Sequence, residues 1–182
     1  MPSSRNLIFV NGPMGVGKSA TCQRLLDILQ PAAYLDGDWC WMMKPWSATP
    51  RNIAMVRANI IFVLRQYLAN PEIGNIILGW VMHQSDIITG LLDALPLADV
   101  QVHVFSLVCT PEALKRRIMM DVANGTRSED VIPRSLERLP LYASMPWPKI
   151  DVSEINAEEA ACRIANRIRT VGTAVPPKTE VR

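Results

Sequence analysis

The sequence predicts a three-layer α/β/α fold, with a five-stranded parallel sheet between two helical layers and a helical lid over one end. Two observations predict it. Apolar runs of strand length, such as Leu7-Ile8-Phe9-Val10 and Ile76-Ile77-Leu78, alternate with longer segments whose apolar residues recur at helical spacing. Each run is closed by glycine, proline or aspartate before the next helical pattern begins. Strands alternating with helices form a parallel sheet covered on both faces, and such sheets gather ligands at the carboxyl ends of their strands.

Taken in order, residues 5–11 are the first strand and 18–30 the first helix, with Cys22, Leu25, Leu26 and Leu29 on one face and Pro31 as its stop. Ala32–Leu35 is a short strand running into Asp36-Gly37-Asp38-Trp39. Residues 40–50, with Trp41, Pro45, Trp46 and Pro50, read as an irregular excursion. A helix is expected from Asn52 to Ala69, carrying Ile53, Val56, Ile60, Val63 and Tyr67 on one face and broken by Pro71 and Gly74. A third strand, 75–78, ends at Gly79-Trp80, and a helix over 85–95 stops at Pro96. Val100–Val108 is the fourth strand. Thr110-Pro111-Glu112 then opens a helix to Ala123, with Thr as cap and Pro in the first turn. After the loop 124–128, a helix covers 129–143, with a bend expected at Pro133 or Pro140. Lys149–Val152 is the last strand. Asn156 caps a final helix whose buried face is Ala161, Ile164, Ala165, Ile168 and Val171. Residues 1–172 thus form one domain with a lid at about 116–138, and 173–182 a mobile tail.

Composition narrows the function. An apolar share of 49% with 20% charged residues fits a packed core and excludes a disordered chain. The net charge, 19 − 17 = +2, counts against a nucleic-acid polymer or a membrane surface as partner. Cys22, Cys40, Cys109 and Cys162 form no C-x-x-C pair, which argues against zinc and against a disulfide framework and fits a reducing cytoplasm. The first apolar run is too short for a signal peptide, and no stretch is long enough to span a membrane.

The chemistry centres on Gly12-Pro13-Met14-Gly15-Val16-Gly17-Lys18-Ser19, which reads G-x-x-x-x-G-K-[ST], the phosphate-binding P-loop. Glycines let successive backbone N–H groups turn inward around a polyphosphate. Lys18 reaches the β/γ-phosphates and the Ser19 hydroxyl can ligate Mg²⁺. Ala20 continues into the helix, whose N-terminus favours an anion. The preceding strand and following helix are the context that makes the motif specific.

The chain resembles the nucleoside-monophosphate-kinase-like group of P-loop kinases over about residues 5–172. That group includes gluconate, shikimate and adenylylsulfate kinases and chloramphenicol phosphotransferase. The likeness rests on the P-loop and on Asp36-Gly37-Asp38 at the end of the second strand. It also rests on arginines 116, 117, 127, 134 and 138 in the lid region, and on Lys149–Ser153 before the last helix. It implies a P-loop NTPase fold and transfer of the γ-phosphate of ATP, with Mg²⁺, to a hydroxyl of a small molecule. Asp38 is the candidate to accept the acceptor's proton, with Asp36 second. The two alternate along an extended backbone, so one of them is expected to face the cleft. Either can instead cap a turn beside Gly37.

Arg127, in a glycine-containing loop between helices, is the lid residue expected to reach the transferring phosphate. Trp39, Trp41, Trp46 and Trp80 can form an aromatic wall for the acceptor, or the small core of a flap. His83 and Arg57 are secondary acceptor contacts, although both also read as ordinary structural residues. One departure stands out. The third strand ends Leu78-Gly79-Trp80 without the acid many P-loop enzymes carry there, so the metal should rest on Ser19, ATP oxygens and water, with Asp36 or Asp38 nearby. Two other readings stand beside this one: a nucleotide or polynucleotide kinase, and a regulatory protein that binds ATP without transferring its phosphate.

Overall fold

The computed structural model describes residues 5–170. The expected tail at 173–182 and Val171 lie outside the described residues. Five strands form one parallel sheet: β1 (Arg5–Asn11), β2 (Ala32–Asp36), β3 (Asn75–Gly79), β4 (Val100–Val108) and β5 (Lys149–Asp151), in the order β2-β3-β1-β4-β5. The helices are α1 (Lys18–Ile28), α2 (Pro50–Ala69), α3 (Ser85–Asp93), α4 (Pro111–Ala123), α5 (Val131–Ser144) and α6 (Ala157–Thr170). This is the P-loop NTPase fold.

The alternation along β1 explains both layers. Ile8 and Val10 face a cluster with Cys22 and Leu25 of α1, Leu114 and Ile118 of α4, and Ile164 of α6. Leu7 and Phe9 face the opposite cluster, with Val56, Ile60 and Leu64 of α2, Ile88 and Leu91 of α3, and Tyr142 of α5. All four side chains of β1 are fully buried. β1 pairs with β3 on one side and β4 on the other, so the chain direction of strand order reverses there. The crevice at this switch point is where the loop after β1 opens.

Several boundaries differ from expectation for local reasons. α1 ends at Ile28 rather than residue 30. α2 begins at Pro50, two residues early, because the Thr49 hydroxyl accepts the Asn52 N–H at 3.2 Å and Pro50 occupies the first turn. The same Thr-Pro device opens α4, where Thr110 accepts from Ala113 at 3.2 Å. α5 starts at Val131 instead of 129 and carries Pro140 within it. The stretch expected to be irregular begins with an ordered 3-10 turn, Gly37–Trp41, which the Asp36 side chain caps. Asn156 caps α6 as expected, accepting from Glu159 at 2.9 Å. Among the described residues no helix is long and apolar enough to cross a membrane.

Candidate active site

The loop 12–17 joins the buried end of β1 to α1, with Gly17 in the left-handed region (φ 106°) as the residue before the helix. Gly15 also has positive φ (82°), and a Cβ there would sit 2.4 Å from Cγ1 of Ile118 on α4. The loop is therefore pressed against α4 and could not carry a side chain at this position. Lys18 Nζ donates to the Pro13 carbonyl at 2.9 Å. Burial lowers the Lys18 pKa from 10.5 to about 8. Arg127 adds to that effect, while Asp38 and Asp36 oppose it.

Asp36 ends β2 and is saturated with donors. Its Oδ2 accepts from Ser19 Oγ at 2.7 Å and from the Tyr34 hydroxyl at 2.8 Å, and its Oδ1 accepts the Asp38 N–H at 3.0 Å. The last of these bonds turns the chain into the 3-10 segment. Strand alternation stops at that point, and both aspartates come close enough to Lys18 to act on its charge. Asp36 lies at the Ser19 hydroxyl, and Asp38 lines a cleft of about 320 Å³ with Lys18, Ser19, Asp121 and Arg127. Burial raises the Asp38 pKa. The Lys18 ammonium opposes that rise, as does a hydrogen bond from Trp80. Trp80 lies over Gly37 so closely that a Cβ on Gly37 would stand 2.4 Å from its Cγ.

Ser19 Oγ and the Asp36 carboxylate are hard oxygen donors at one point of the P-loop, and this pair fits a Mg²⁺ ion. Among the described residues no cluster of three or more His, Cys, Asp or Glu offers a metal site of its own. Met14, Gly15 and Gly17 of the loop line the cleft, and Ala20 lines it from the start of α1.

Arg127 lines the cleft, with its Nε donating to Asp121 Oδ2 at 2.8 Å. Arg117 lines the same cleft. Its guanidinium is a strut that donates to the carbonyls of Val16 (3.2 Å), Ile155 (3.2 Å) and Val152. Arg116 and Arg134 pair with Glu154 and Asp130 on the surface. The α4 part of the lid region is anchored through Ile118, which is fully buried.

The tryptophans do not form one wall. Trp39 is 60% exposed and lies beside Tyr34 (ring centroids 6.0 Å), Trp41 pairs with the exposed Trp46 (5.7 Å), and Trp80 is buried against Gly37. Nδ1 of His83 and Nε of Arg57 are buried without a hydrogen-bond partner. Burial and the nearby Arg138 lower the His83 pKa, which keeps the ring neutral. Asn11 and Tyr142, which sequence reasoning passed over, likewise leave Oδ1 and the hydroxyl unpartnered in the interior. Asn11 was findable as the lone polar residue closing an apolar run. Tyr34 was findable too, because two-residue spacing puts it on the same side of β2 as Asp36. Nothing in the sequence marks Tyr142.

The family profile for the AAA domain matches residues 8–131. The chain belongs to this family. No curated protein sequence matches it. The fold is similar to that of the Deinococcus radiodurans tunicamycin resistance protein (21% identity, 90% of this chain and 95% of that one, TM-score 0.65). It is also similar to a gluconokinase from Sinorhizobium meliloti 1021 (16%, 93% and 94%, TM-score 0.64). A third likeness is to shikimate kinase from Acinetobacter baumannii (18%, 92% and 94%, TM-score 0.61). This AAA domain chain therefore shares its architecture with the kinases that its P-loop and Asp36-Gly37-Asp38 resemble.

Proposed function

We propose that the chain is a kinase that transfers the γ-phosphate of ATP to a hydroxyl group of a small molecule. The observation that carries this reading is the carboxyl of Asp38, which lines the cleft beside the P-loop lysine, with its proton affinity raised. A carboxylate in that setting can accept the acceptor's proton as the new O–P bond forms and the bond to the ADP oxygen breaks. The P-loop N–H groups and Lys18 hold the phosphates. Arg127 reaches the transferring group by exchanging Asp121 for phosphate oxygen. Ser19 and Asp36 would hold Mg²⁺, which would neutralise charge on the phosphates. A second cavity of about 170 Å³, bordered by Val16, Arg117, Val152 and Ile155, offers room for the base. The four cysteines are unpaired, and we place the protein in the cytoplasm.

The test is ADP release from Mg·ATP across a panel of hydroxylated metabolites, antibiotics and nucleotides, with Lys18→Ala as blank. One acceptor that raises ADP release and is itself phosphorylated supports the proposal. Phosphorylation of a nucleotide or polynucleotide end would replace it with the second kinase reading, against which the net charge of +2 counts. ATP binding without turnover on any acceptor would favour a regulatory protein.

Lys18 also sets a pH dependence. ATP binding needs its ammonium, and in the free protein that group loses its proton at about pH 8. Affinity for ATP should fall as pH rises through about 8, and Lys18→Met should bind weakly with no such inflection. The free protein should change in the opposite sense. The depressed pKa disfavours the charged form on folding, so stability should rise between about pH 8 and the ordinary lysine value of 10.5. Calorimetric titration of ATP and urea unfolding across pH 7 to 10.5 check both.

A further inference from the structure

We infer that Tyr34 is a positioning residue for the cation: by donating its hydroxyl to Asp36, it fixes the carboxylate that, with Ser19, takes the metal. The inference rests on the phosphotransfer reading above.

The end of β3 has no room for an acid. A Cβ on Gly79 would lie 2.8 Å from Cys22 Sγ and 3.3 Å from the Tyr34 ring. Tyr34 fills the space that a side chain at the end of β3 would need. Its hydroxyl emerges at Asp36 Oδ2, 2.8 Å away, on the same oxygen that Ser19 Oγ contacts at 2.7 Å. The carboxylate at Ser19 therefore comes from β2 and not from β3, and the phenol on the same face of β2 holds it in place. The other oxygen is fixed by the Asp38 N–H at 3.0 Å. Of the two hydroxyls on Oδ2, Ser19 belongs to the P-loop and would itself help to hold the metal. Tyr34 is the hydroxyl on Oδ2 whose part is only to orient the carboxylate, together with the Asp38 N–H on Oδ1.

The ring and the hydroxyl have separable roles. The ring packs on Gly79 and lies beside Trp39. Tyr34→Phe keeps that packing and removes only the hydroxyl. Groups that hydrogen-bond metal ligands typically govern about 10- to 100-fold in metal affinity. Tyr34→Phe should weaken Mn²⁺ binding to the protein carrying a non-hydrolysable ATP analogue by about tenfold or more, read by the electron paramagnetic resonance of free Mn²⁺. The Mg²⁺ concentration for half-maximal velocity should rise by the same factor, while kcat at saturating Mg²⁺ and metal-free nucleotide affinity hold.

Asp36→Asn is the companion variant. If it loses Mn²⁺ and Tyr34→Phe does not, the role given to Tyr34 is overturned while the phosphotransfer reading stands. If neither variant changes Mn²⁺ binding, the cation does not rest on Asp36, and both the inference and that part of the reading fail. An equal loss of metal-free nucleotide binding in Tyr34→Phe would make the hydroxyl a packing element and also overturn the inference.

Discussion

Asp38→Asn is expected to lower the rate of phosphate transfer by about 10²- to 10⁴-fold while ATP binds as tightly as before, or more tightly. The amide cannot accept the acceptor's proton, but it keeps the shape of the carboxyl and can still receive the hydrogen bond from Trp80. It also removes a negative charge from beside Lys18, which is why ATP affinity should not fall. Burial raises the Asp38 pKa, so the wild-type rate should fall on the acid side at a pH above the ordinary aspartate value of 3.8. The variant should lack that limb. Single-turnover transfer with calorimetric ATP titration separates the two effects. An Asp38→Asn protein that transfers phosphate at the wild-type rate would remove Asp38 from the mechanism.

Gly37→Ala is the second large effect, and it acts by collision rather than by charge. The new methyl would stand 2.4 Å from Trp80 Cγ and 2.8 Å from its Cβ, well inside van der Waals contact. Trp80 is buried, and its N–H hydrogen bond helps hold Asp38 ionised. Driving the ring aside should cost about 1–3 kcal/mol of stability by overpacking. It should also release Asp38 and move the acid limb of the rate profile to higher pH. Urea unfolding and the pH–rate profile report these separately. An unaltered pH profile in a destabilised protein would show that Trp80 does not tune Asp38.

Much of the fold could be read from the chain because the signals were local. The strand runs, the Thr110-Pro111 start and the Asn156 cap each depend on a few neighbouring residues, and these features appear where expected. Thr49-Pro50 carried the same signal as Thr110-Pro111, yet the tryptophans and prolines before it drew the eye to an irregular loop. The site was legible as a set of residues rather than as an arrangement. Period-two spacing says that one of Asp36 and Asp38 faces the cleft, but it does not show the Asp38 N–H donating to the Asp36 side chain, which turns the backbone there. The tryptophans are close in sequence, but their rings go to different partners set by tertiary packing. Arg117 looked like any helix-surface arginine. Its three carbonyl partners lie 35 to 101 residues away, beyond the reach of local reading.

That guanidinium has a thermodynamic consequence. Carbonyls from the P-loop (Val16) and from the segment after β5 (Val152 and Ile155) converge on one α4 side chain. The entropy lost in fixing these segments relative to one another is incurred once, when the chain folds, and is not charged again against each incoming ligand. This flank of the crevice is preorganised, and more of the contact energy made along it appears as affinity. Arg127, held by a partly exposed Asp121, has no comparable set of backbone anchors, so any ordering cost of ligand binding falls on its side of the crevice.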